Sequence, residues 1–164
     1  YVELEGDAVR FAGRTDNAQL PCDLFEYLQY TFPIEKMQSL RRGGDTTIPI
    51  TLYGEGYGAG IQNGGDYRPD KAFILFDVLL GDEWWMDDDG VTEFAERLGI
   101  ERVPLLGHMA LHEMADYVRA GAFSVVAQSP RFMEGVVGRT IEPLFDKRGQ
   151  RLIVKLKTSD WQVK

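Results

Sequence analysis

The chain has 164 residues, 44% of them hydrophobic and 27% charged, with a formal net charge of −8. That length and mixture suit one ordinary domain able to bury a sizeable core, and the apolar runs are too short for a membrane span. A single cysteine, Cys22, excludes an internal disulfide framework and fits a reducing cytoplasm. The acidic balance argues against a whole-surface grip on nucleic acid. Charge is uneven, however. Arg139 to Lys164 holds seven Lys/Arg against three Asp/Glu, a local +4, and the remainder carries −12. A polyanion is expected to meet the C-terminal end.

Tyr1–Glu5 and Ala8–Ala12 alternate apolar and polar residues around Gly6-Asp7, which predicts a hairpin. Leu20-Pro21-Cys22-Asp23 precedes Leu24, Tyr27, Leu28 and Phe32 at helical spacing. Arg41–Thr47 is a polar break. Ile48–Tyr53 predicts a strand running into the glycine-dense GEGYGAG of Gly54–Gly60. Ala72–Leu80 (AFILFDVLL) predicts a buried strand, and Asp82–Asp89 a hairpin tip or loop. Val91–Leu98 and Met109–Ala120 predict amphipathic helices. Met133–Val137 and Arg151–Lys157 predict strands, with a turn at Lys147-Arg148-Gly149. The interspersed elements and hairpin-like pairs give an α+β fold with antiparallel sheets flanked by helices. No internal repeat or linker interrupts it, and the whole of 1–164 is expected to be one domain with no separate C-terminal domain.

Several tempting motifs fail on their spacing. GEGYGAG lacks both the Gly-Lys-Ser/Thr ending of a P-loop and the spacing of GxGxxG. His108 and His112 stand four apart, one helical face, but the order is HxxxHE and no third ligand is evident. Asp87-Asp88-Asp89 lacks the alternation of a calcium loop and reads as a solvated loop. Cys22 has no evident catalytic partner.

Other residues point to a ligand. Lys155 and Lys157 are two apart on a predicted strand and project from one face. Like charges side by side cost free energy unless an anion lies between them, and phosphate is the natural anion. Glu134 opens the apolar strand EGVV, where a lone carboxylate needs a cation or a donor. Glu55 is caught between a strand and the glycine run. Phe76 either fills the core or offers a stacking surface to a flat ligand.

In order and spacing these segments resemble the covalent nucleotidyltransferases, the superfamily of ATP-dependent ligases and mRNA capping enzymes, and within it the RNA ligase 2 type that seals nicks in RNA duplexes. The resemblance runs from VRFAGRT (Val9–Thr15) to KLKTSDW (Lys155–Trp161). YGEGYGAGIQ (Tyr53–Gln62) is similar to the third motif of that family and FILFDV (Phe73–Val78) to the one after it. EGVVGR (Glu134–Arg139) is similar to the fourth and VKLK (Val154–Lys157) to the fifth.

The resemblance implies the nucleotidyltransferase fold and a role for each position. Arg14 would face the nucleotide phosphate or the RNA end. Glu55 would accept a hydrogen bond from the ribose, and Phe76 would stack on adenine. Glu134 would hold the divalent metal, Mg²⁺ or Mn²⁺. Lys155 and Lys157 would neutralise the α-phosphate of ATP and help expel pyrophosphate. RNA, as a nicked duplex or as ends, would be the partner, and RNA repair in the cytoplasm the setting. The first motif of the family, KxDG, carries the lysine that becomes lysyl-AMP. It begins at none of Lys36, Lys71, Lys147, Lys155, Lys157 or Lys164. In the family it lies just upstream of a strand like Tyr1–Glu5, so a segment ahead of Tyr1, truncated here, is expected to hold it. Without that lysine the chain is expected to be inactive in self-adenylylation. Two alternatives stay open: a DNA ligase or capping-type enzyme, and a non-catalytic nucleotide- or RNA-binding remnant.

Overall fold

The computed structural model describes residues 1–15, 18–41, 43, 45–61 and 67–161. Gln62 of the third motif, Arg42 and Gly44 of the polar break, and Lys164 of the basic tail lie outside them. Two compact units divide the chain, Tyr1–Val103 and Pro104–Lys164.

The first unit is a sheet whose helices join one core. Strand β1 (Val2–Glu5) pairs antiparallel with β2 (Ala8–Phe11) on one side and with β3 (Ile50–Tyr57) on the other. β3 pairs antiparallel with β4 (Ala72–Leu80). The far edge of β4 is shared. Its C-terminal end takes β5 (Trp84–Trp85) antiparallel, and Ile74 and Leu75 take β6 (Glu101–Arg102) parallel. The all-antiparallel expectation therefore fails at one pair. A helix separates β5 from β6, and a crossover helix returns the chain in parallel register.

Helix α1 (Cys22–Thr31) forms where Leu24 and Leu28 fall on one face and are buried. Phe32 and the short α2 (Ile34–Gln38), which contributes Met37, continue the same core. Helix α3 (Asp88–Leu98) starts earlier than the apolar spacing indicates. The Asp87 carboxylate accepts from the Gly90 amide at 2.8 Å, and Asp88 and Asp89 occupy the first turn, where acids favour the helix dipole. The acid run is thus a helix start and not a solvated loop. Asp88 also receives a two-pronged ion pair from Arg102, at 2.6 and 3.0 Å, which ties the start of α3 to β6. At the other end Gly99, at φ 58°, lets the chain leave in the left-handed conformation.

The register of β3 on β4 slips between Tyr53 and Gly54. Tyr53 faces Asp77 and Gly54 faces Leu75, so Phe76 is an extra residue in a β-bulge. The bulge resets the alternation of β4. Phe73 and Leu75 before it and Val78 after it all face the core, while Phe76 is half-buried outside that core. Gly54 and Gly56 extend β3 well into the stretch read as a glycine loop. They are glycines because the core presses on them. A Cβ at Gly54 would lie 2.3 Å from the Phe73 ring and 2.4 Å from the Ile74 carbonyl oxygen, and one at Gly56 would lie 2.6 Å from Leu24.

Two ionic clusters anchor the ends of the segment that joins β3 to β4. The Arg68 guanidinium bonds Asp70 at 2.7 and 3.0 Å and Glu101 at 3.0 Å, and the Tyr57 hydroxyl donates to Glu101 at 2.5 Å. Burial, and then Glu101, push the Tyr57 phenol up, while Arg68 holds Asp70 below the usual carboxylate range. Lys71 pairs with Asp23 of α1 at 2.7 Å and lowers its pKa.

The second unit centres on one hairpin. Helix α4 (Leu111–Arg119) buries Met114 and Val118, one turn apart, and Glu113 accepts from the Ala110 amide at 2.6 Å at its start. Strand β7 (Gly135–Arg139) pairs antiparallel with β8 (Ile153–Lys157). The predicted turn is present. The Asp146 carboxylate accepts from the amides of Arg148 and Gln150 at 2.8 and 2.9 Å, and Gly149 sits at φ 75°. Arg119 lies over the Trp161 ring at 4.1 Å and tethers the last described residue to α4. Among the described residues no helix is long and apolar enough to cross a membrane.

Two predictions follow from this packing. Gly54→Ala should destabilise the protein by about 2 kcal/mol, the usual size of an overpacking cost, read from the urea midpoint at unchanged slope. Asp23 has a folded pKa below its ordinary 3.8, so its ion pair contributes above that value and is lost as the pH falls through the folded one. The stability difference between the wild type and Lys71→Met should therefore be largest at neutral pH and vanish in strong acid, as melts across pH will record.

Candidate functional site

The six residues singled out by sequence fall in both units. Arg14, Glu55 and Phe76 belong to the first, and Glu134, Lys155 and Lys157 to the second.

In the first unit they sit on the end of the sheet where β1 begins and β3 leaves. Arg14 is exposed on a bend after β2. The backbones of Ala12 and Tyr1 bond each other there, at 3.1 and 2.7 Å. Tyr1 reaches the next strand by a ring contact with Tyr53 at 6.1 Å, and Tyr53 meets Trp85 at 5.3 Å. Glu55 is exposed on β3 opposite Ile74. By register, Tyr53 and Glu55 share the sheet face away from the core, and the bulge places Phe76 on that face too. Phe76 is therefore not the core filler that an unbroken apolar strand suggests. A flat, half-exposed ring near a carboxylate can hold a base and a ribose hydroxyl.

The second unit gathers its three residues into one open pocket of about 510 Å³. The ladder sets Lys157 opposite Gly135 and Lys155 opposite Val137. Both ammonium groups project from the odd-numbered face. Val136, Leu156 and Gly138 lie on the other, where a Cβ at Gly138 would meet Met114 of α4 at 2.8 Å. Glu134 stands just ahead of β7 and not within it. Its position is fixed by backbone bonds: its carbonyl accepts from the Thr158 amide at 2.8 Å, and the Thr158 hydroxyl donates to the carbonyl of Met133 at 2.8 Å. Close strand approach requires Gly135, since a Cβ there would lie 2.1 Å from the Leu156 carbonyl oxygen.

An anion between two lysines, beside one carboxylate, is the natural occupant of this pocket. The set also suits a hard divalent ion. Among the described residues no group of three or more His, Cys, Asp or Glu forms a metal cage. An ion such as Mg²⁺ keeps water and phosphate oxygens and needs only one or two protein carboxylates, which Glu134 can begin to supply. The paired-histidine arrangement does not form. α4 begins at Leu111, so His108 precedes it in an exposed segment and shares no helical face with His112.

Sequence reasoning did not single out Phe132, Thr158 or Ser159, which also line the pocket. Their adjacency to EGVV and KLK was the available signal. It also missed the cluster in which Arg68 and Asp70 meet Tyr57 and Glu101, since these partners are far from that pair in sequence.

Residues 6–157 match the RNA ligase family. The protein belongs to that family. Its coarse function is accordingly that of a ligase. No curated protein matches the chain. Within this RNA ligase family member, the segments similar to the fourth and fifth motifs are the two strands of the hairpin that forms the pocket.

Because Gly135 is the contact point of β7 and β8, Gly135→Ala should part them and uncover the Leu156 and Lys157 amides. Hydrogen exchange in β8 should accelerate at least tenfold, a local loss of about 1.4 kcal/mol, with β1–β4 unaffected.

Proposed function

We propose that the protein is the adenylyltransferase portion of an ATP-dependent RNA ligase that joins a 5′-phosphate to a 3′-hydroxyl. The observation that carries this reading is the union of Glu134, Lys155 and Lys157 in one pocket of a chain matched by the RNA ligase family.

The reaction has three steps. A lysine Nζ attacks the α-phosphorus of ATP, forming a P–N bond and releasing pyrophosphate. The 5′-phosphate of RNA then attacks the same phosphorus, breaking the P–N bond and forming a pyrophosphate link to AMP. Finally the 3′-hydroxyl attacks the RNA phosphorus and expels AMP. Negative charge develops on phosphate oxygens in every step, and preorganised cations are most effective where charge develops. Lys155 and Lys157 act there. Glu134 would hold Mg²⁺ or Mn²⁺, which when bound supplies further positive charge to the same oxygens. Phe76 and Glu55 take the adenine and ribose, and Arg14 takes a phosphate of the nucleotide or the RNA end.

The nucleophile belongs to a KxDG motif that the resemblance places ahead of β1. A chain entering at Tyr1 arrives beside Ala12 and Tyr53, at the end of the sheet that carries Arg14, Glu55 and Phe76.

Incubation with ATP labelled at the α-phosphate tests the reading. The chain beginning at Tyr1 should bind ATP with Mg²⁺, seen as a raised melting temperature, and form no covalent adduct. With a KxDG-bearing segment fused ahead of Tyr1, it should become labelled, and Lys155→Ala should slow labelling by about 10²-fold or more. A stable adduct on the chain beginning at Tyr1 would sink the assignment of the nucleophile. Nicked duplexes with RNA or DNA at the 3′-hydroxyl side separate RNA ligation from DNA ligation.

A further inference from the structure

Two phenylalanines of the second unit lie open to solvent and stacked on each other. Phe123 and Phe132 are 58% and 62% exposed, with ring centroids 4.8 Å apart and planes 13° from parallel. They are held there from below. The two residues form an isolated antiparallel bridge, closed by Ser124 N to Arg131 O at 2.8 Å and Met133 N to Ala122 O at 3.0 Å. Fixing two large apolar rings at the surface forgoes their burial, and neither ring belongs to the core. Phe132 is also part of the lining of the pocket that holds Lys155, Lys157 and Glu134.

We propose that the Phe123–Phe132 pair is a stacking platform for one nucleobase of the RNA strand whose phosphate meets Lys155 and Lys157. This rests on the RNA ligase reading of the pocket and adds a subsite to it. A rigid aromatic face beside two cations matches the alternation of bases and phosphates in a nucleic acid strand. Lys155 and Lys157, which line the same pocket as Phe132, favour a polyanion over an apolar protein segment, and the described residues from Arg139 to Trp161 carry a local +3 within a protein of net −8. The bridge keeps the rings in place before any ligand arrives, so little rotamer freedom is lost on stacking. Stacking is blind to base identity, so the platform grips the strand whatever its sequence.

The test is binding of a fluorescent nicked RNA duplex, measured by anisotropy on the whole chain. Phe132→Leu should bind about tenfold more weakly than the wild type, with an unchanged melting temperature. Phe132→Tyr, which keeps a ring, should bind as the wild type does. Removing bases from the RNA one at a time should reveal a position whose loss weakens the wild type by the same factor and leaves Phe132→Leu unaffected. If Phe132→Leu binds normally while Lys155→Ala does not, the platform is wrong and the pocket reading stands. If Lys155→Ala also binds normally, the pocket reading falls and the platform with it. Weak binding by Phe132→Leu without any coupled base position, or equal loss in Phe132→Tyr, overturns stacking as the mechanism.

Discussion

The bulge in β4 governs the first unit. A strand side chain alternates with period two, so Phe73 and Leu75 could not share a face with Val78 in an unbroken strand. One extra residue at Phe76 makes that possible. The core can then draw on β4 along its whole length, and an aromatic ring is delivered to the opposite face without a charged neighbour being forced inward. The glycines at 54 and 56 are the counterpart of this arrangement. They let Phe73 and Leu24 press against the backbone of β3, so the strand carrying Glu55 is held close to the core that supports it.

The second unit solves a different problem with simpler means. Its hairpin has no bulge among its five registered pairs, and strict alternation sorts its residues. On the even side Gly138 lies against Met114 of α4, and the odd positions carry the two lysines. Thr158 completes the arrangement by binding the backbone on both sides of the Met133–Glu134 peptide. Carboxylate and ammonium groups are thereby carried by a single piece of backbone.

Much of this was legible in the sequence where a residue pattern has one physical meaning. The Gly6-Asp7 hairpin, α1, and the common face of Lys155 and Lys157 follow from turn chemistry and from periods of 3.6 and 2. What could not be read depended on partners distant in sequence. AFILFDVLL is apolar almost throughout, so no polar residue marks which side chain leaves the core, and the bulge is invisible until β3 is laid beside it. Two-residue β6 has no period of its own. It exists because Asp88 holds the Arg102 side chain and the Leu75 carbonyl accepts from the Val103 amide. The acids at the start of α3 read as a loop because a helix start and a solvated loop share one composition, and the Asp87 side-chain bond distinguishes them. Among the candidate site residues, Lys155, Lys157 and Glu134 announced themselves as charges in or beside apolar strands. Phe132 did not, since an aromatic residue among apolar neighbours looks like core.

The alternation of the hairpin also divides the labour of sequence change. Positions facing α4 answer to packing, so substitution there is limited by shape and volume. Positions on the other face, including Val137 and Ile153, are exposed and answer to whatever lies against the lysines. A protein built this way can revise the surface it shows to a substrate one residue at a time, while the fold that holds its chemistry stays as it was.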